Sequence, residues 1–263
     1  MTTYLDRILE RHREAAAADH RPLDELVERA SAAPTARGFR AALAEVARGG
    51  DLAVIAEIKR RSPSKGDLHP DLDPALLAAT YERGGAACLS VLTDEEFFGG
   101  SVADLQAARG AASLPVIRKD FTVGPRDVCD ARLMGADCVL LIAAALDRAE
   151  LAELHALARE IGLDVLVEVH DETELGHALE ARADLIGVNQ RDLVTFEVDP
   201  ARAVRVAAAI PSTAVKVAES GVRGTADAAE LHAAGYQAVL VGETLVTASD
   251  PGRAVSELRR AGR

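Results

Sequence analysis

Apolar residues along the chain fall into two alternating rhythms. Short, largely β-branched runs read as strands at Val54–Ile58, Ala87–Val91, Pro115–Arg118, Cys138–Ile142, Asp164–Val169, Leu185–Val188, Ala214–Ala218 and Ala238–Val241. They are almost continuously apolar, as strands are when both faces of a parallel sheet are covered. Between them the spacing becomes helical. Asp71–Gly84 carries Leu72, Leu76, Ala79 and Tyr81, and Ala149–Ile161 carries Leu151, Leu154, Leu157, Ala158 and Ile161 with Gly162 as a stop. Asp171–Ala181 opens on an aspartate with Glu174 three residues later, the pattern of a capping box. Strand starts recur about every 26 residues, the length consumed by a strand, a helix and two loops.

Eight strands, each followed by a helix, predict an α/β fold of the (β/α)8 (TIM) barrel type. A doubly wound open sheet is the alternative. Its glycine-rich G-x-G-x-x-G turn is missing, because Ile58 is followed by Lys59-Arg60-Arg61-Ser62-Pro63-Ser64-Lys65-Gly66. The first 50 residues add a helical segment with Tyr4, Leu5, Ile8 and Leu9 on one stripe. The chain therefore reads as one barrel domain over 1–263, of which 1–50 is an N-terminal helical extension. Such an extension either caps one end of a barrel or lies over its mouth.

In a barrel the chemistry sits at the carboxyl ends of the strands, and the strand period of two identifies the side chains that point inward. Glu57 and Lys59 are in phase with Ile55, Lys119 with Ile117, Glu168 with Leu166, Asn189 with Gly187 and Glu219 with Val217. One such group is an ordinary solvated strand end. Five strands ending this way point to a site, since buried opposite charges give a packed core little net stability. Lysine usage sharpens the case: the chain has only Lys59, Lys65, Lys119 and Lys216 among 30 basic residues. Arginine does not release its proton usefully, whereas a desolvated lysine is tunable as an acid near neutral pH. Lys216 is out of phase with Glu219 and is expected to snorkel between strand and helix. Small residues in Glu219-Ser220-Gly221 and Val241-Gly242-Glu243-Thr244 let backbone N–H groups approach a phosphate, with hydroxyls from Ser62 and Ser64 and a covering Lys65. Glu243 is expected to turn its carboxylate away.

Charge and composition then narrow the partners. A net charge of −12 disfavours nucleic acid and anionic membranes. The longest strongly apolar stretch, Cys138 to Leu146, falls well short of the roughly 20 residues that cross a bilayer. The amino terminus reads as a helix and not a signal peptide, and Cys88, Cys129 and Cys138 lack metal-site spacing, which fits a reducing cytoplasm. No metal is expected, since the seven histidines show no ligand pair on a shared face; His170 reads as flanking a helix.

The ordered series Ala56-Glu57-Ile58-Lys59-Arg60-Arg61-Ser62-Pro63-Ser64, Arg118-Lys119-Asp120-Phe121, Leu140-Leu141-Ile142, Val167-Glu168-Val169, Gly187-Val188-Asn189-Gln190-Arg191-Asp192-Leu193 and Ala218-Glu219-Ser220-Gly221 resembles the indole-3-glycerol phosphate synthase family of tryptophan biosynthesis. The likeness spans essentially the whole chain and leaves no room for a fused isomerase domain. It implies closure of the indole ring of 1-(2-carboxyphenylamino)-1-deoxyribulose 5-phosphate, with release of carbon dioxide and water and with no cofactor or metal. It also implies a small phosphorylated anionic substrate and transient contact with other tryptophan-pathway enzymes. By resemblance, Lys119 protonates the ribulose carbonyl while the aromatic carbon attacks it. Glu168 and Lys59 share the dehydration phase, one as the acid for the leaving hydroxyl and the other as the base for the anilino proton, in either order. Glu57 orients Lys59, Asn189 and Glu219 complete the polar wall, and Arg191 and Ser220 bind substrate. Phe98, Phe121 and Leu141 are expected to line the ring pocket, and Ser62, Gly221, Gly242 and Glu243 to hold the phosphate. Gln190 and the run Gly124-Pro125-Arg126-Asp127 depart from the family's commoner residues. Rival readings are a phosphate-binding isomerase or epimerase barrel, which needs a single acid/base pair, and a non-catalytic barrel, which needs no inward polar cluster.

Overall fold

Parallel pairing runs all the way round the sheet. The computed structural model describes residues 3–63, 65–192 and 196–263; the expectations attached to Ser64 and Leu193 lie outside them. Strands β1 (Ala53–Ile58), β2 (Cys88–Leu92), β3 (Val116–Lys119), β4 (Cys138–Ile142), β5 (Asp164–Val169), β6 (Leu185–Asn189), β7 (Val215–Glu219) and β8 (Ala238–Val241) pair in sequence order, and β8 returns to β1 to close the barrel. The strand bounds shift from the sequence expectation by at most one residue. At β3 the reason is plain: Pro115 has no N–H to donate, so the strand begins after it.

Three helices, α1 (Tyr4–Ala18), α2 (Leu23–Ser31) and α3 (Phe39–Arg48), precede the barrel. Eight more follow the strands in turn: α4 (Pro74–Gly84), α5 (Val102–Ala111), α6 (Pro125–Leu133), α7 (Arg148–Glu160), α8 (Glu172–Glu180), α9 (Pro200–Ala207), α10 (Thr225–Ala233) and α11 (Pro251–Arg260). Their starts follow their caps. Asp73 accepts the N–H groups of Ala75 and Leu76, with Pro74 in the first turn, so α4 starts later than Asp71. Asp171 caps α8 through Thr173 and Glu174. Glu174 does not complete a capping box, however; its carboxylate reaches past the cap to the backbone N–H of His170 at 2.7 Å. Among the described residues no helix is long and apolar enough to cross a membrane.

Strand alternation divides the core in two. Val54, Ala56, Val139, Leu141, Val165 and Val167 face outward and pack under the helices. Ala53, Ile55, Ile117, Leu140, Ile142, Leu166, Val217 and Leu240 face inward and fill the barrel. Phe39 and Leu43 of α3 join the inner cluster and plug its amino-terminal end. Their helix is fixed there because the N–H of Arg37 donates to Asp137 at 2.8 Å and that of Arg40 to Asp164 at 2.9 Å. The N-terminal segment therefore does both things open to it: α3 seals the bottom, while Tyr4, Leu5 and Ile8 of α1 line the cavity at the mouth.

Asp137 is the keystone of the bottom. It is fully buried, accepts the N–H of Val116 at 2.9 Å as well as that of Arg37, and pairs with Arg109. Replacing it with alanine leaves a guanidinium and two amides without their acceptor. We expect Asp137→Ala to cost about 3 kcal/mol or more and to lower the melting temperature by roughly 10 °C, measured by circular dichroism.

Candidate active site

The inward-phased strand ends meet in one cavity of about 500 Å³ at the carboxyl end of the barrel, lined by Glu57, Lys59, Lys119, Glu168, Asn189 and Glu219. Lys59 reaches back to Glu57 at 2.5 Å, and Ser90, the inward polar residue of β2, donates to the other oxygen of that carboxylate at 3.2 Å. Across the barrel, Lys119 donates to Glu168 at 3.4 Å and lies 3.8 Å from Glu219. The amide of Asn189 donates to Glu168 at 3.0 Å. Asn189 accepts the backbone N–H of Arg191 with its side-chain oxygen, also at 3.0 Å. The guanidinium of Arg191 donates to the carbonyl of Phe196 at 3.0 Å, which holds this side chain at the cavity wall.

The order of strands around the ring separates the two ends of the cavity. Loops after β7, β8 and β1 are neighbours, and they bring Ser62, Ser220, Gly221, Gly242 and Glu243 to one side. Ser62 has its hydroxyl buried without a partner among the described residues. Ser220 and Gly221 both sit in the left-handed region, at φ of 65° and 74°. The strained Ser220 is held by Gln190, whose amide donates to its carbonyl at 2.7 Å. The carboxylate of Glu243 lies 3.8 Å from the ammonium of Lys65, and both residues line the cavity. Gly242 lies against the Glu57–Lys59 pair so closely that a β-carbon there would collide with the Glu57 carboxylate and stand 3.0 Å from the lysine nitrogen.

Loops after β2 and β3, with the inward side chains of β4, form the other side, where Phe98 and Phe121 stand with ring centroids 6.3 Å apart. One expected residue does not belong. Leu141 points outward into the shell between sheet and helices, and Leu140 and Ile142 on either side of it line the cavity instead. Strand alternation forces this, since residues in phase with inward Cys138 are Leu140 and Ile142.

Charge in the mouth is set by competition between burial and neighbours. Burial pushes Glu57 up, but Lys59 and Lys119 outweigh it and hold the carboxyl below its usual range. Glu168 follows the same course, with Lys119, His170 and the Asn189 amide prevailing over desolvation. Glu219 goes the other way. Burial and the charge of Glu168 act together, Lys119 offsets them only in part, and the carboxyl rises well above its usual range. Desolvation alone would lower the pKa of Lys119, yet Glu168, Glu219 and Glu57 outweigh it and raise the pKa. The lysine is therefore not a softened acid, as its burial suggests, but a retained cation. Lys59, Lys119 and Arg191 thus stand among Glu57 and Glu168, whose ionised forms their neighbours favour, and Glu219, whose ionised form burial and Glu168 oppose.

A family model for indole-3-glycerol phosphate synthase matches residues 5–258, nearly the whole chain. The chain belongs to the indole-3-glycerol phosphate synthase family. Its activity is that decarboxylating lyase step of tryptophan biosynthesis, on a phosphorylated substrate. Two solved structures bear on the fold alone. Thiamine phosphate pyrophosphorylase from Pyrococcus furiosus is 16% identical with a TM-score of 0.61, over 82% of this chain and 96% of that one. A cube-shaped, highly porous protein cage designed by fusing symmetric oligomeric domains is 20% identical with a TM-score of 0.56, over 80% and 72%.

Several contributors escaped the sequence reading. Ser90 was accessible to the phase argument, since Cys88, Ser90 and Leu92 share a face of β2. His170 flanks α8 with its Nδ1 3.0 Å from Glu174, and its Nε2 lies 3.6 Å from Glu168. Tyr4, Leu5 and Ile8 needed the fold. Lys216, by contrast, points outward as its phase requires and donates to the Ala207 carbonyl at 2.7 Å. The tight seat of Gly242 yields a test. Its φ of −114° is open to alanine, so Gly242→Ala should act by displacing the Glu57–Lys59 pair and not by straining the backbone. Steady-state kinetics should show kcat/KM reduced roughly 100-fold; an unaltered value would mean the pair has no part in the reaction.

Proposed function

We propose that this mouth holds 1-(2-carboxyphenylamino)-1-deoxyribulose 5-phosphate across its width, phosphate toward the loops after β7, β8 and β1 and aromatic ring between Phe98 and Phe121. What supports the reading is the protonated Lys119 between the two ends of the cavity. The Ser62 hydroxyl, the turn at Ser220 and Gly221, the backbone at Gly242 and Glu243, and Lys65 receive the phosphate, and Arg191 receives the carboxylate.

In ring closure, the aromatic carbon bearing the carboxylate attacks the ribulose carbonyl. Lys119 gives its proton to the oxygen as negative charge develops there, which an ammonium does well even when its resting pKa is high, because an alkoxide is the stronger base. Carbon dioxide then departs and leaves its bonding electrons in the ring, restoring aromaticity. In dehydration the hydroxyl leaves as water with a proton from Lys59, and Glu168, ionised at rest, takes up the anilino proton. Glu57 positions Lys59, Asn189 positions Glu168, and the neutral Glu219 keeps the pocket from accumulating a third negative charge. The whole chain serves this one site as a single barrel domain. Its three buried free cysteines suit the cytoplasm, and transient contact with neighbouring tryptophan-pathway enzymes belongs to the same reading on the strength of the family alone.

Following indole fluorescence with purified protein tests the roles. Lys119→Met should lower kcat by roughly 10³-fold with KM changed far less, and a variant with near-normal kcat would remove the general-acid assignment. Glu168→Gln should lose turnover while a single-turnover experiment still releases carbon dioxide. Loss of both together would transfer Glu168 to the first phase.

A further inference from the structure

Helix α1 crosses the mouth, and three side chains tie it down. Arg11 pairs with Glu96 at 3.3 Å and Arg13 with Glu150 at 2.9 Å, both exposed and screened by solvent. His12 is the sheltered tie. Its side chain is 19% exposed, and its Nε2 lies 3.0 Å from Asp94 and 3.7 Å from Asp120, both buried. On α1 it shares a face with Leu5 and Ile8, which line the cavity.

The two carboxylates are themselves attached to the ring pocket. Asp94 accepts the backbone N–H groups of Phe97 at 2.6 Å and Phe98 at 3.1 Å, capping the helical turn Glu95–Phe98. Asp120 accepts the N–H of Phe121 at 2.8 Å, and the Phe121 ring packs on the His12 imidazole with centroids 5.6 Å apart. One imidazole thus touches the helix over the mouth and both loops that carry the aromatic walls. We propose that His12 is a positioning residue, a pH-responsive latch that holds α1 and the Phe98 and Phe121 loops closed around the aromatic end of the substrate.

The electrostatics fit a latch better than a cation site, although His12, Asp94 and Asp120 have the spacing of one. Arg118 already pairs with Asp120 at 3.0 Å, the hydroxyl of Thr93 donates to the same carboxylate, and backbone amides occupy Asp94. The charged groups facing His12 are Asp94, Asp120 and Asp127, with Arg118 behind Asp120. Desolvation works against the imidazolium, but the hydrogen bond to Asp94 and the charges of Asp120, Asp94 and Asp127 prevail and raise the pKa above its ordinary 6.5. The sign follows: the latch is fully set below that ordinary value and is lost as pH rises through the raised one.

This inference rests on the substrate occupying the mouth, and the experiment separates the two. Between about pH 6 and about pH 9, wild-type KM should rise roughly three- to tenfold while kcat holds within about twofold. His12→Gln should show the higher KM at both ends. His12→Lys, charged throughout, should keep the lower KM at both, a rescue that a merely structural residue would not give. A His12→Gln variant that retains the wild-type rise, or a His12→Lys variant that rises with it, overturns the latch. Proton NMR of the wild-type protein, with His12 assigned by its loss in His12→Gln, should give a pKa above 6.5. A value at or below that overturns the latch even if the variants fold poorly. Absence of turnover in the wild type would instead count against the reading of the mouth, with the titration still deciding His12.

Discussion

A lysine and two glutamates share the dry mouth of this barrel, and their mutual charges pull the two carboxylates in opposite directions. Glu168 and Glu219 both approach Lys119, at 3.4 and 3.8 Å, and none of the three is solvated well enough to be indifferent to the others. With both carboxylates ionised, one cation would face two buried anions at short range, a cost of several kcal/mol. The rise in the Glu219 pKa works against that state. The asymmetry comes from the flanks, since Asn189 and His170 support charge on Glu168 and Glu219 keeps one oxygen without a partner among the described residues. Everything else at the site is arranged around that partition: a held proton on Lys119 and, beside it, a carboxylate whose charge its neighbours favour.

Closed-barrel geometry is what makes such a partition stable. Lys119, Glu168 and Glu219 arrive from β3, β5 and β7, alternate strands whose neighbours leave the space between them for substrate. The N-terminal segment then stiffens the barrel from both ends. At the bottom α3 carries apolar side chains into the core and anchors its first turn to aspartates that begin or precede strands. At the top α1 offers fewer apolar contacts and more ionic ones. That difference in chemistry corresponds to a difference in duty, because a plug need never move, while a cover over a cavity must admit and release what binds there.

How much of this was legible in the sequence depends on which interaction decided each feature. Strands and their phase were, since a period of two separates inward Ile55, Ile117, Leu166 and Val217 from outward neighbours, and the catalytic groups inherit that phase. Leu141 shows the same rule from the other side: placed in the ring pocket by family likeness, it lies on the wrong parity and the pocket takes Leu140 and Ile142. The placement of α1 and α3 was not legible, because an amphipathic stripe says that a surface is covered and not which one. Nor was the charge of Lys119. Burial is readable from position along a strand, but the sum of three carboxylates arriving from β1, β5 and β7 is a property of the closed ring. Gln190, which departs from the family, holds the strained turn at Ser220 through a carbonyl 30 residues away in sequence.

The division between lysine and arginine follows from the same physics. Arginines dominate the outer surface in fixed pairs such as Arg148 with Glu180, Arg205 with Glu172 and Arg253 with Glu257, where a planar fork and a permanent charge are all that is asked. Three of the four lysines line the cavity. An ammonium is compact enough to stand between carboxylates from different strands and able to part with a proton when a developing alkoxide demands it. Arginine at 119 would satisfy Glu168 and Glu219 at least as well and would make the resting site no less stable. It would also leave the carbonyl oxygen without a donor, because a guanidinium has no proton to spare on the timescale of the reaction. The scarcity of lysine elsewhere and its concentration here therefore mark the positions where charge has to be mobile as well as present.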